Sequence, residues 1–163
     1  MLIGVVSDTH NNIKNVNLII SILNQRKVDL VIHTGDITKE STLKKFSELN
    51  CDLLGVFGNN DRNEPGLQKA AEECGFEFHE PPFKINKFDR NIAIFHEPEL
   101  IDEFMLKNQD IDIVLHGHTH RYREEIIDKT IFFNPGESAG MIKGKNAIGI
   151  VNLEDLSLER IFF

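Results

Sequence analysis

Two hydrophobic periods alternate along the chain. Leu2 to Val6 is an unbroken aliphatic run of strand length, and from Asn12 to Arg26 the residues Ile13, Val16, Ile19, Ile20 and Leu23 recur at helical spacing. The order then recurs. Leu30 to His33 reads as a strand, Thr38 as the cap of a helix through Leu49, Leu53 to Phe57 as a strand, and Leu67 to Cys74 as a helix closed by Gly75. A βαβαβ start implies a parallel sheet with right-handed crossovers. After Pro81-Pro82 the pattern predicts strands over Phe83 to Phe88 and Ile92 to Phe95, a helix near Leu100 to Asn108 and a strand at Ile111 to Leu115. From Tyr122 onward short strands dominate, at Ile126-Ile127, Ile131 to Phe133, Ala147 to Leu153 and Leu158 to Phe163. This β-rich second half predicts two packed sheets with helices outside.

Composition narrows the picture. At 163 residues without internal repeat or linker, the chain reads as a single domain spanning 1–163, able to bury a core without disulfides. Its net charge of −8 opposes binding to long nucleic acid, because that affinity rests on Lys and Arg neutralising phosphates. A phosphate ligand is still compatible, since bound divalent cations would set the local charge. Cys51 and Cys74 are widely spaced in apolar or helical surroundings and read as buried free thiols. The N-terminal apolar run is too short for a signal peptide and no stretch reaches membrane-spanning length, so a cytoplasmic location without membrane partner is expected.

The chemistry-bearing residues fall just past predicted strand ends. Asp8 and His10 follow the first strand, Asp36 the second, Asn59 and Asp61 the third, His96 the Ile92 to Phe95 strand, and His118 and His120 the strand ending at Leu115. In open α/β sheets the ligand crevice lies outside the carboxyl ends of the strands, so these groups are expected on one rim. Carboxylate, imidazole and amide oxygen suit borderline divalent ions such as Mn, Fe, Ni and Zn. Residues two apart in extended chain point the same way, which pairs Asp8 with His10 and His118 with His120. Taken singly, Asp8, Asp36, Asn59 and Asp61 are ordinary turn and cap formers, and an isolated strand-end His is more often structural than a ligand. Of the other histidines, His33 and His116 read as packed and hydrogen-bonded, with strand periodicity leaving open for His116 a role supporting His118 from behind, and His79 as a surface turn residue.

The ordered set Asp8-Thr9-His10, Gly35-Asp36, Gly58-Asn59-Asn60-Asp61, His96 and Gly117-His118-Thr119-His120 resembles the motifs of the calcineurin-like metallophosphoesterases. Asn134-Pro135-Gly136 resembles a loop of that family's small prokaryotic phosphodiesterase branch. The resemblance implies an αββα sandwich, two packed mixed β-sheets flanked by helices, with open access to the site. It also implies two divalent ions, Mn first: Asp8, His10 and His120 on one, Asn59, His96 and His118 on the other, Asp36 bridging. Ions about 3.5–4 Å apart would activate a hydroxide for in-line attack on a small phosphate ester.

Two departures stand out. Asn60 occupies a position that is His in many relatives; an amide donates a hydrogen bond but no proton, so poor leaving groups should react slowly. Glu97, where Gly is usual, either adds negative charge near the rim and disfavours highly anionic substrates or, the preferred reading, faces solvent. Asp61 is expected to support the ligands from behind. The competing readings are a non-catalytic scaffold like the retromer subunit that shares this fold, and an oligonucleotide nuclease. The Phe162-Phe163 pair is a candidate dimer contact.

Overall fold

The computed structural model describes residues 1–163, and the aliphatic runs form strands whose two faces are both covered. β1 (Leu2–Val6) lies parallel to β2 (Leu30–His33), which pairs in parallel with β3 (Asp52–Val56), and β3 with β4 (Glu77–His79). Helices α1 (Ile13–Arg26), α2 (Glu40–Lys45) and α3 (Leu67–Cys74) make the crossovers. On the far side of β1 the antiparallel strands β10 (Ala147–Asn152) and β11 (Leu158–Phe162) complete a sheet of order β11-β10-β1-β2-β3-β4. The second sheet holds β5 (Phe83–Lys87), β6 (Arg90–Ile94), β7 (Ile113–Leu115), β8 (Arg123–Ile127) and β9 (Thr130–Asn134), in the order β5-β6-β7-β9-β8. Its three inner strands are parallel, its edges antiparallel, and α4 (Ile101–Lys107) links β6 to β7. Both sheets are therefore mixed, and helices flank them.

Strand alternation assigns each side chain to a layer. Ile3 and Val5 join Ile32, Val56, Ile94, Leu115 and Phe133 between the sheets, while Val6 and Val31 face α1 to α3 with Val16, Ile19 and Leu23. A smaller cluster of Phe95, Val114 and Phe132 lies under α4 with Ile101. The central strands of each sheet thus bury both faces, as near-continuous aliphatic strands require, while the edge strands β5 and β8 stay largely exposed. No helix is long and apolar enough to cross a membrane.

Several expectations are corrected. Thr38 caps no helix: α2 starts at Glu40, and Thr38 has a positive φ of 73° with its N–H donated to Asp61. His79 lies in the edge strand β4 rather than a turn, because Glu77 to His79 pair with Leu54 to Val56. Gly75 does close α3 in the left-handed conformation. Cys51 and Cys74 are free but only half-buried. The terminal phenylalanines divide: Phe163 packs against the helix-side core, whereas exposed Phe162 stacks under the Arg160 guanidinium, 4.4 Å from its ring centre.

Candidate metal centre

The carboxyl ends of β1, β2 and β3 and of β6 and β7 open on one rim, which brings the motif residues together across the two sheets. His10 Nε2 lies 3.2 Å from His120 Nε2 and 3.5 Å from Asp36 Oδ2, and His120 Nε2 is 3.5 Å from Asp8 Oδ1. On the other side His96 Nε2 is 3.0 Å from Asn59 Oδ1 and 3.4 Å from Asp36 Oδ2, while His118 Nδ1 is 2.9 Å from Asn59 Oδ1. Asp36 therefore stands between the two groups of imidazoles. Asp8, His10 and His120, and likewise Asp8, Asp36 and His96, have ligand atoms within 4.8 Å of one another. Asp8 reaches both groups, a sharing not expected from spacing.

The backbone is bent to achieve this. Asp8, His10, Asp36, His118 and His120 all take positive φ, between 40° and 66°. Such conformations cost about 1–3 kcal/mol each for non-glycine residues and concentrate at functional sites. Two glycines give the room: a Cβ at Gly58 would collide with Asp36, and one at Gly117 with Ser7 and Asp8. Asp61 is the main brace. Buried, it accepts N–H groups from Gly58 and Asp36 on one oxygen and from Ile37 and Thr38 on the other, at 2.7 to 2.9 Å. It touches none of the imidazoles and acts through the two loops it ties together. Asn60 donates its amide to Asp36 Oδ2 at 2.7 Å and its backbone N–H to Asp36 Oδ1 at 3.0 Å.

The donor chemistry tests whether a cation fits. The His96 Nδ1–H is committed to the Thr34 carbonyl at 2.8 Å, so a neutral ring aims the Nε2 lone pair at two oxygens, Asn59 Oδ1 and Asp36 Oδ2. Acceptors facing acceptors need positive charge among them. Asp8 Oδ1 is buried with no hydrogen-bond partner, although Asp8 Oδ2 accepts from the His118 N–H and the Ser7 hydroxyl. Unpaired buried carboxylate oxygen is expensive unless it meets a cation. The residues fit metal ions with oxygen and nitrogen preference.

Electrostatics agrees with an electron-rich cleft. Burial pushes the Asp36 carboxyl up, but positive charge at His96, which the ring carries when a proton rather than a cation meets its Nε2, and two bonds from Asn60 outweigh it and hold Asp36 well below the usual range. Burial likewise lowers His96, yet Asp36 and Asp8 raise it above an ordinary imidazole. The Asp8 carboxylate, with Oδ1 3.5 Å from His120 Nε2, raises His120 above an ordinary imidazole. Burial pushes Asp61 up, against its backbone donors.

Behind the rim, His33 is buried and neutral: Nδ1 accepts from the Gly35 N–H at 3.1 Å, leaving Nε2–H for Thr9 Oγ1 at 3.2 Å, and burial depresses its pKa to about 3. His116 is also buried, its pKa lowered to about 4 by desolvation, with Nε2 unpartnered. Asn134 ties the rim from the β9 side, donating to the Gly117 carbonyl at 3.0 Å and accepting from Gly136 N–H. Glu97 does not simply face solvent: it is 19% exposed and accepts from Arg62 at 2.8 Å. Two residues escaped sequence reasoning. Arg62 directly follows the third motif, and Glu137, just after Asn134-Pro135-Gly136, is buried and accepts the Gly140 and Ile142 N–H groups.

Residues 1–156 match the family model of the calcineurin-like phosphoesterase superfamily domain, and the chain belongs to that superfamily. It is 33% identical over 156 residues to a phosphodiesterase of Methanocaldococcus jannaschii, covering 94% of each chain. A solved archaeal phosphodiesterase superposes with a TM-score of 0.91 at 30% identity, over the full length of both chains. Zinc-bound Vps29 from Entamoeba histolytica shares the fold, with a TM-score of 0.71 at 19% identity over 99% of each chain.

Proposed function

We propose that the chain is a metal-dependent phosphodiesterase that hydrolyses small diesters at this rim. The observation that carries the reading is the pair of unmet electron donors, His96 Nε2 aimed at two oxygens and Asp8 Oδ1 without a partner, inside one cluster of imidazoles and carboxylates. The phosphodiesterase relative covering 94% of the chain supports the substrate class. Asp8, His10 and His120 would hold one divalent ion and Asn59, His96 and His118 a second, with Asp36 shared; Mn is the first choice, then Ni, Fe or Zn. Bound there, the ions supply Lewis acidity to phosphoryl oxygens and acidify an attacking water.

The protein's own contribution is placement. The Thr34 carbonyl fixes the His96 ring and its tautomer, the His118 N–H and Ser7 orient Asp8, and Asp61 holds the Asp36 and Gly58 loops in register. Asn60 restrains Asp36 through two bonds and offers no proton to a departing alkoxide, so esters with good leaving groups are the favoured substrates. The Vps29 likeness carries the fold alone, and the complete donor set favours catalysis over a scaffold role.

The test is metal analysis of the purified protein, then turnover of bis(p-nitrophenyl) phosphate after chelation and after return of each metal. Activity should vanish with chelator, return with Mn or a neighbour in the series, and fall severely in Asp8→Asn and His118→Ala. Full turnover by metal-free protein overturns the proposal.

A further inference from the structure

A groove of about 550 Å³ leaves the donor cluster along Asn59 and His118 and is walled by Arg62, Glu97, Glu99 and Leu100. A diester whose phosphorus sits at the cluster has two arms, and this groove is placed to take one. Arg62 is the only cation among its walls. Its Nη2 donates to Glu97 Oε2 at 2.8 Å, and its Nε lies 3.7 Å from Glu80 Oε2. Because Glu97 follows His96 directly, the clamp ties the guanidinium to the rim.

That clamp decides what the arginine recognises. A free guanidinium attracts phosphate by charge and by its fork of donors. Here two carboxylates compensate the charge, while a guanidinium has five N–H donors and the Glu97 bond uses one. What remains is a donor group of fixed direction and little net attraction for anions. Leu100, 44% exposed, offers the groove carbon contact.

We propose that Arg62 is the specificity-determining residue of this groove, hydrogen-bonding the oxygens of an uncharged, hydroxyl-bearing alcohol arm, while Glu97 and Glu99 reject an arm that carries its own phosphate. The inference rests on the phosphodiesterase reading above and deepens it. It implies that a chain of oligonucleotide, whose continuing arm is anionic, would be a poor occupant.

The experiment uses Mn-loaded protein and three p-nitrophenyl phosphodiesters with the same leaving group, whose second arm is methyl, glyceryl or phosphoglyceryl. Wild-type kcat/KM should fall in the order glyceryl, methyl, phosphoglyceryl. Arg62→Ala should raise KM for the glyceryl ester by about tenfold, the size of one good hydrogen bond, and leave kcat and the methyl ester within about twofold. Arg62→Lys, which keeps charge and loses the fork, should resemble Arg62→Ala. Glu97→Gln should selectively improve the phosphoglyceryl ester. Calorimetric binding of glycerol 3-phosphate against methyl phosphate, the product monoesters, should show the same split without turnover. Equal effects of Arg62→Ala on methyl and glyceryl compounds, in kinetics and binding alike, overturn the groove assignment alone. If wild-type protein cleaves none of the three with any metal, the phosphodiesterase reading falls and takes the groove with it.

Discussion

Asp61 shows how much a single side chain carries here. Its two oxygens collect four backbone N–H groups from the loops after β2 and β3, the loops that also bear Asp36 and Asn59. Asp61→Asn keeps the shape but turns one oxygen into an NH₂ that faces N–H donors. Whichever oxygen is replaced, two backbone donors go unmet, at a cost of about 1–3 kcal/mol each. Metal affinity should weaken by about 10–100-fold, as is usual when a group orienting ligands is removed. Urea unfolding of metal-free protein reads the first effect, and competition with a fluorescent chelator the second. Unchanged metal affinity would show that the loops hold Asp36 without help.

At the scale of elements, the N-terminus of α1 joins the rim to the loop between β9 and β10. Asn12 caps the helix by accepting the Asn15 N–H, and its amide donates 2.6 Å to the Ala139 carbonyl; Asn15 in turn donates to the Ser138 carbonyl at 2.7 Å. Glu137 holds the same loop from inside through Gly140 and Ile142. Asn12→Ala removes a cap and a tether together. The loss should be about 0.5–2 kcal/mol for the cap alone. Hydrogen exchange should speed up at Gly140 and Ile142 as well as in the first turn of α1, and exchange confined to the helix would show that the tether contributes nothing.

Much of this architecture is legible from periodicity. The aliphatic strands at Leu2 to Val6 and Leu30 to His33 and the helical stripe of Val16, Ile19 and Leu23 appear where the pattern places them, because packing between two covered layers demands such runs. The edge strand β4 escapes, since Glu77 to His79 offer one apolar side chain and owe their conformation to pairing with β3. Thr38 misleads for a related reason: its short polar side chain suits a cap, but Asp61, distant in sequence, captures its N–H. Order along the chain places seven donors at strand ends, yet the positive φ angles at Asp8 and His118 and the Arg62–Glu97 clamp depend on loops meeting in space.

For the whole molecule, acid stability offers a measurable signature. His33 is locked neutral between Gly35 and Thr9, near Asp8, Asp36, His10 and His96, and its folded pKa of about 3 lies below the ordinary imidazole value of 6.5. The unfolded chain therefore takes up the proton first. The stability due to this difference is complete above about pH 6.5 and is lost as pH falls toward 3, at up to about 1.4 kcal/mol per pH unit. His33→Gln should be less stable at neutral pH but show a shallower decline, so the gap between the two proteins narrows on acidification. Parallel pH curves from urea melts would refute this account.

The rim draws Asp8, His10, Asp36 and Asn59 from one sheet and His96, His118 and His120 from the other, so the aliphatic filling between the leaves works as a gauge block for the donors. A slip of one residue along a strand, about 3.3 Å, is as large as the 3.2 Å that separates the His10 and His120 nitrogens. Mutations around Ile94 or Phe133, remote from any phosphate, should therefore detune the centre before the molecule unfolds.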